Sequence, residues 1–344
     1  MKRETKLVAV ATAAAILAGC ASGGGGTRRT EGDGLDELAR GFVCVYSLGL
    51  ACPKAPDPEP TYTYSGPLPL TRWQDSRGKG EVSVGGPVME VKFERTVDGA
   101  IVKAEQIVDG NAYVHLSYLE SGSLSQFSYG SYDTLVPSLN GSTIAARPWV
   151  EVLWSESTSN KQARFTDAPT EGVGVFANPY ALGWDYQTFG TWNHTLYNTD
   201  TMGAESFGAP TPGLAVPGTG TATFTGKLIG MYAPATGPGS LATADLSVHA
   251  DFARRSLTVS SSGTTLTRDL STITPAPQLN LNGTLSYEAG SSSFSGTLVN
   301  AAGTMSGASK GKFYGPKAEE LGGVFVVKSP STVETFTGAY GAKR

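Results

Sequence analysis

The chain has 344 residues, of which 26 are Lys or Arg and 30 are Asp or Glu, giving a formal charge of −4. This mildly acidic balance argues against nucleic acid as a partner, since a phosphate backbone selects a basic surface. Forty-four glycines, with Thr, Ser, Val and aromatics at short intervals, favour turns and short strands over helices, so the predicted class is all-β with length for two modest cores.

Lys2, Arg3 and Lys6 make a positive start, and residues 7–17 form a mostly apolar run that is too short to span a bilayer as a helix. Leu17-Ala18-Gly19-Cys20 resembles a bacterial lipobox. That resemblance implies that residues 1–19 are a lipoprotein signal peptide and that Cys20 carries the acyl chains tethering the protein to a membrane. An ordinary secretory signal with an incidental cysteine is the alternative. Ala21, rather than Asp, follows the cysteine, which implies the outer membrane. Losing residues 1–19 removes Lys2, Arg3, Lys6 and Glu4 and takes the formal charge from −4 to −6.

Residues 20–60 read as an extension. Gly23 to Gly26 open a flexible tether, residues 35–52 are more apolar, and residues 53–60, with four prolines, form a stiff spacer. Cys44 and Cys52 are available for a disulfide in an oxidising compartment, or stand as two buried free thiols. With no histidine nearby, no metal site is expected there.

Residues 61–207 are β-rich. The runs 88–96, 101–108 and 112–119 are separated by Asp98-Gly99 and Asp109-Gly110, the favoured chemistry of tight hairpins, which predicts an antiparallel meander. Further strand-like runs occur at 145–154 and 184–192. Trp184, Tyr186, Phe189 and Trp192 make the densest aromatic cluster of the chain. It is either sheet core or an exposed surface that anchors a partner. Residues 208–220 carry Pro210, Pro212 and Pro217 among glycines and read as a linker between domains.

From residue 221 the alternation becomes regular. Phe224, Gly226, Leu228, Gly230 and Tyr232 share one parity, as do Ala242, Ala244, Leu246, Val248 and Ala250, then Leu279, Leu281, Gly283, Leu285 and Tyr287, and then Phe294, Gly296 and Leu298. About eight two-faced strands fit between 221 and 344, and closing them into an antiparallel barrel removes the exposed edges. At that strand number the interior is filled by side chains, so no large pore is expected.

Chemistry is sparse. The three histidines, His115, His194 and His249, have no ligand-like spacing, and neither a zinc site nor a catalytic triad is expected. Gly307-Ala308-Ser309-Lys310-Gly311 has the form of a nucleophile elbow but lacks the following helix. Gly172-Val173-Gly174-Val175-Phe176-Ala177 has dinucleotide-loop spacing, but Pro179 interrupts the helix it needs. Neither an enzyme nor a cofactor is predicted.

The most specific segment is Gly311-Lys312-Phe313-Tyr314-Gly315-Pro316-Lys317-Ala318-Glu319-Glu320-Leu321-Gly322-Gly323. Its residues predict a strand, one helical turn and a glycine stop. Gly315 would be the N-cap and Pro316 the first helical position. Glu319 and Glu320 would lie at the positive end of the dipole, Leu321 would anchor the turn inward, and Gly322 would end it left-handed. The stretch closely resembles the signature near the end of the barrel lobes in the transferrin-binding protein B family of bacterial surface lipoproteins. The likeness runs from Gly226-Lys227-Leu228-Ile229-Gly230 to Phe336-Thr337-Gly338-Ala339-Tyr340-Gly341.

This resemblance implies an eight-stranded C-terminal barrel, with residues 61–207 as its handle domain. It also implies an outer-membrane, surface-exposed lipoprotein that binds a host or iron-source protein without catalysis, delivered by an outer-membrane translocator. Relatives with this barrel bind transferrin, haemoglobin or complement factor H. Transferrin-binding members carry two barrel-and-handle lobes, whereas this chain has room for one. Two other readings stand beside it: a periplasm-facing module for haem or another small solute, and a structural or adhesion protein of the envelope.

Overall fold

The computed structural model describes residues 72–77, 81–95, 101–122, 124–129, 132–135, 142–144, 147–157, 170–196, 199–268 and 272–344. They belong to one compact unit, Tyr64–Arg344. Cys20, Cys44, Cys52, the tether and the proline-rich spacer lie outside the described residues.

Two antiparallel sheets of nine strands make up the unit. The first contains β1 (Glu81–Arg95), β2 (Ile101–Tyr118), β3 (Leu124–Tyr129), β4 (Tyr132–Leu135), β5 (Ser142–Ile144), β6 (Arg147–Ser157), β7 (Thr170–Ala177), β8 (Gln187–Leu196) and β9 (Thr199–Gly208). Their order is β4-β3-β2-β1-β9-β8-β7-β6-β5, so two meanders are joined where β1 pairs with β9. One short helix, α1 (Pro179–Leu182), interrupts the second meander. Asn178 caps it by accepting from the N–H groups of Tyr180 and Ala181, proline takes its first position, and Gly183 ends it at φ 67°.

The structure corrects the predicted turn at Asp109-Gly110. β2 runs through it without a break, Asp109 pairing with Met89 and Gly110 with Val88, with a register shift next to it between Glu90 and Val91. An Asp-Gly pair makes a tight hairpin only if the chain can reverse there. Here a long partner strand continues past it, so pairing overrides the local preference.

The second sheet contains β10 (Thr221–Ala233), β11 (Ser240–Asp251), β12 (Ser256–Thr267), the two-residue β13 (Thr274–Pro275), β14 (Leu281–Tyr287), β15 (Ser293–Asn300), β16 (Ser306–Tyr314), β17 (Glu320–Lys328) and β18 (Thr335–Lys343). β10 pairs with β18 and β11 with β12, which closes an eight-stranded up-and-down barrel with β13 as an appendage. The alternation read from the sequence is the inward face. Phe224, Leu228, Leu246, Val248, Leu285, Phe294, Leu298, Phe313, Phe325 and Phe336 form one buried core. The Phe313 ring sits centrally, with the rings of Tyr287 and Phe294 at 5.3 and 5.4 Å in edge-to-face contact. Ser309, the middle of the elbow-like motif, is buried in β16 and bonds the Val324 carbonyl and the Tyr340 hydroxyl, each at 2.9 Å.

The helical plug expected at 315–322 is also corrected. Pairing of β16 with β17 continues to Tyr314 and Glu320, so Glu320, Leu321 and Gly322 of the expected plug are taken into the ladder and five residues remain between the strands. They form a tight turn instead, with Gly315 at φ 87° and Ala318 at φ 60°. Gly322 and Gly323 are extended members of β17, opposite Lys312 and Gly311. Leu321 is buried in the barrel core as expected, but as a strand residue.

The barrel wall and the first sheet share a second core. Met89, Val91, Phe93, Met202 and Ala204 on one side pack against Ile229, Met231, Val324, Val326 and Ala339 on the other. At about 1.5–3 kcal/mol for each large side chain fully buried, this layer is a major part of what holds the sheets together. The opposite face of the first sheet has its own cluster, in which Trp73, Val84, Val88, Leu116, Tyr118, Phe176, Trp192 and Phe207 are buried.

Candidate functional site

Charged side chains bridge the two sheets along the seam between them. Its centre is Glu320, the first residue of β17, whose side chain is fully buried. Pairing places this side chain on the outer barrel face, turned toward the segment between α1 and β8. Its Oε1 accepts the N–H of Asp185 at 2.7 Å, and its Oε2 accepts those of Tyr186 and Gln187 at 2.9 and 3.0 Å. Burial pushes this carboxyl above its ordinary range, while the N–H groups of Asp185 and Tyr186 and the charge of Lys343 pull it back.

Asp185 extends the network. It accepts from the Arg72 guanidinium at 2.7 Å and the Lys343 ammonium at 2.9 Å, and Lys343 also donates to the Gly183 carbonyl at 2.7 Å. Partial burial raises the Asp185 carboxyl, but the bonds from Lys343 and Arg72 outweigh it and hold the group below its ordinary value. Beside it the Gln187 amide is wedged against the barrel. A Cβ at Gly341 would lie 2.3 Å from Gln187 Nε2, and one at Gly322 would lie 2.8 Å from Oε1, so these two glycines make the slot.

Lysines of the outer barrel face clasp the first sheet at two more points. Lys310 donates to the Gly110 carbonyl at 2.7 Å and pairs with Asp109, and Lys328 donates to the Ala104 carbonyl at 3.3 Å. Tyr314 donates to the Ser206 carbonyl at 2.9 Å. Its hydroxyl is pushed well above the ordinary range by burial, so it remains a neutral donor. The proline-rich segment after β9 is held to the barrel as well. Thr211 N–H donates to Phe313 O at 2.8 Å, Thr211 Oγ1 donates to Gly315 O at 2.6 Å, and Gly315 N–H donates to Ala209 O at 2.9 Å.

The aromatic cluster does not form an exposed platform. Trp184 and Phe189 are buried in the core shared with the barrel, their rings 5.6 Å apart. Trp192 is buried on the opposite face. Tyr186 alone is partly exposed, its ring over the Gly315 turn. A sheet covered on both faces needs large apolar side chains at both parities, and this is why aromatics concentrate there. Sequence reading missed the role of Glu320 and the outward set Lys310 and Lys312. The latter has a legible signal, because both alternate with the inward Gly311 and Phe313 on a strand otherwise poor in charge.

His249 is exposed on the barrel wall, 3.4 Å from Thr223 Oγ1. Among the described residues no three His, Cys, Asp or Glu side chains come close enough to hold a metal ion, and no helix is long and apolar enough to cross a membrane.

The barrel's loops lie at two rims. Strand alternation puts 234–239, 272–280, 301–305 and 329–334 at one rim and 252–255, 288–292 and 315–319 at the other. The first rim is open to solvent along much of its length, whereas the 315–319 loop of the second is engaged by the seam.

Residues 216–344 match the family model described as the C-lobe and N-lobe β barrels of transferrin-binding protein B. No curated protein matches the chain. Among solved structures, a transferrin binding protein B variant from Haemophilus parasuis is 16% identical at a TM-score of 0.43, covering 75% of this chain and 45% of that one. The isotype 1 protein from serogroup B Neisseria meningitidis is 20% identical at a TM-score of 0.39, covering 75% and 43%. The chain thus spans less than half the length of these relatives. The eight-stranded barrel, residues 216–344, is thus similar to the barrels of transferrin-binding protein B.

Proposed function

We propose that the protein is a lipid-anchored surface protein of the outer membrane that binds an extracellular host or iron-source protein without catalysis. The observation that carries this reading is the match of the whole barrel, residues 216–344, to barrels of a family named for binding transferrin. The seam supports it physically. Three buried N–H bonds to Glu320 and the shared apolar core fix the first sheet to the barrel wall, so loops of both present a preorganised surface. Acylation at Cys20 supplies the membrane contact, and a dedicated translocator supplies passage to the outer face.

The test has two parts. Protease added to intact cells is expected to digest the mature chain, and full protection overturns surface display. Residues 61–344 immobilised on a resin are expected to retain one stoichiometric protein from host fluid. Failure to retain any protein, with the fold intact by circular dichroism, overturns the binding reading. Trp184, Phe189 and Trp192 are buried and offer no exposed aromatic face to a haem or another small solute.

A further inference from the structure

A crevice of about 360 Å³ opens on the seam, between β1 and β2 on one side and β15 and β16 on the other. Its lining includes Asn111, Ser293, Ser295, Gly110, Lys310 and Lys312. The two lysines, two residues apart on β16, project from the outer face of the barrel. Their situations differ. Lys310 is neutralised by Asp109 and bonded to the Gly110 carbonyl. Lys312 is half-buried, and among the described residues no acceptor or acid is paired with its ammonium.

A half-buried cation with no counter-charge is costly, and proteins place one where an anion completes the site. Burial lowers the Lys312 ammonium from its ordinary value and the charge of Lys310 lowers it further, so an incoming anion would relieve both effects. Asp109 also lines the crevice but is held by Lys310, and the neutral polar groups suit an oxyanion: Ser293 faces Lys312 across the strand pair and Ser295 faces Lys310, while Asn111 contributes an amide donor from the opposite wall. Space is available as well. A Cβ built on Gly110 meets no atom within 4 Å, and the residue is not left-handed. The volume is at the lower end for small-molecule sites, which points to a compact ligand.

We infer that this crevice binds a small oxyanion, a carboxylate or a phosphate, through the Lys312 ammonium and the flanking serine hydroxyls. The site lies on the seam and does not depend on the protein-binding reading, so the failure of either leaves the other standing.

Reductive ¹³C-methylation of the mature chain makes each lysine visible by NMR, and Lys312→Gln assigns its signal. Inorganic phosphate and glutarate are then titrated separately, against chloride at matched ionic strength. The expected result is a saturable shift of the Lys312 signal with at least one of the two anions, and which anion responds identifies the source. Affinity, followed for the variants by isothermal titration calorimetry, is expected to fall at least tenfold in Lys312→Gln. It should fall likewise in Gly110→Leu, which fills the crevice and leaves the lysine in place, and persist in Lys312→Arg. Circular dichroism confirms that each variant is folded. The inference is overturned if neither anion gives a saturable shift beyond chloride, or if folded Lys312→Gln and Gly110→Leu bind as the parent does.

Discussion

Replacing Glu320 by Ala should loosen the attachment of the first sheet to the barrel more than any other single change at the seam. The side chain is fully buried and accepts three backbone N–H groups at 2.7, 2.9 and 3.0 Å. Truncation leaves all three donors without a partner, at about 1–3 kcal/mol for each buried unsatisfied group. It also leaves Lys343, whose ammonium lies 3.7 Å from Oε1, without that charge, although Asp185 still holds it. Water entering the vacated space would recover part of the loss, so about 3–5 kcal/mol is expected, the range found when one partner of a buried charged network is removed. Against a typical total of about 5–15 kcal/mol this is a large fraction. Urea unfolding of the purified chain measures it, followed by tryptophan fluorescence and by far-ultraviolet circular dichroism. The first probe responds to Trp184, which is adjacent to the bonded N–H of Asp185. Glu320→Gln keeps one acceptor oxygen but turns an NH₂ toward backbone donors, and should fall between Ala and wild type. A loss below about 1 kcal/mol in Glu320→Ala would refute the reasoning, because the three donors would then be satisfied by other means.

Three other outcomes are expected. Glu205 lies on the face of the first sheet away from the barrel, its two oxygens buried without a hydrogen bond; burial and then the nearby Glu90 charge raise its carboxyl well above the ordinary 4.5. The unfolded chain therefore releases this proton at lower pH than the folded one, and stability falls as pH rises above about 4.5. Glu205→Gln removes that dependence, so its stability relative to wild type should grow between pH 5 and 8, and a constant difference across that range would contradict the assignment. A Cβ at Gly203 would lie 2.3 Å from the Trp192 ring, and its three nearest atoms all belong to that ring. Gly203→Ala should cost about 1–3 kcal/mol by overpacking, and clearly less in a Trp192→Leu background, as a double-mutant cycle in urea will show. Cys20→Ser should abolish incorporation of labelled fatty acid and release the chain from the membrane fraction; labelling that persists would exclude the lipobox reading.

Much of the barrel was legible in the sequence because most of its strands have one dry face and one wet face. In β11 every second residue from Ala242 to Ala250 points inward, while Asp245, Ser247 and His249 meet solvent. β17 lacks that contrast, since every residue from Glu320 to Val327 is buried between the barrel interior and the first sheet. The first sheet is harder to read for the same reason. β9 is buried continuously from Met202 to Gly208, so period-two alternation disappears and the aromatic run around Trp184 carries no sign of which face is covered.

By itself the sequence determined the all-β class, the barrel parity and the family signature, because these rest on local alternation and turn chemistry within one hairpin. Only the tertiary structure decided what that signature does. Glu320 acts on N–H groups 133 to 135 residues earlier in the chain, Gly322 and Gly341 admit Gln187, and Asp109-Gly110 stays extended under Lys310. Each depends on two surfaces brought together by a shared apolar core, a contact that no local stretch of sequence encodes.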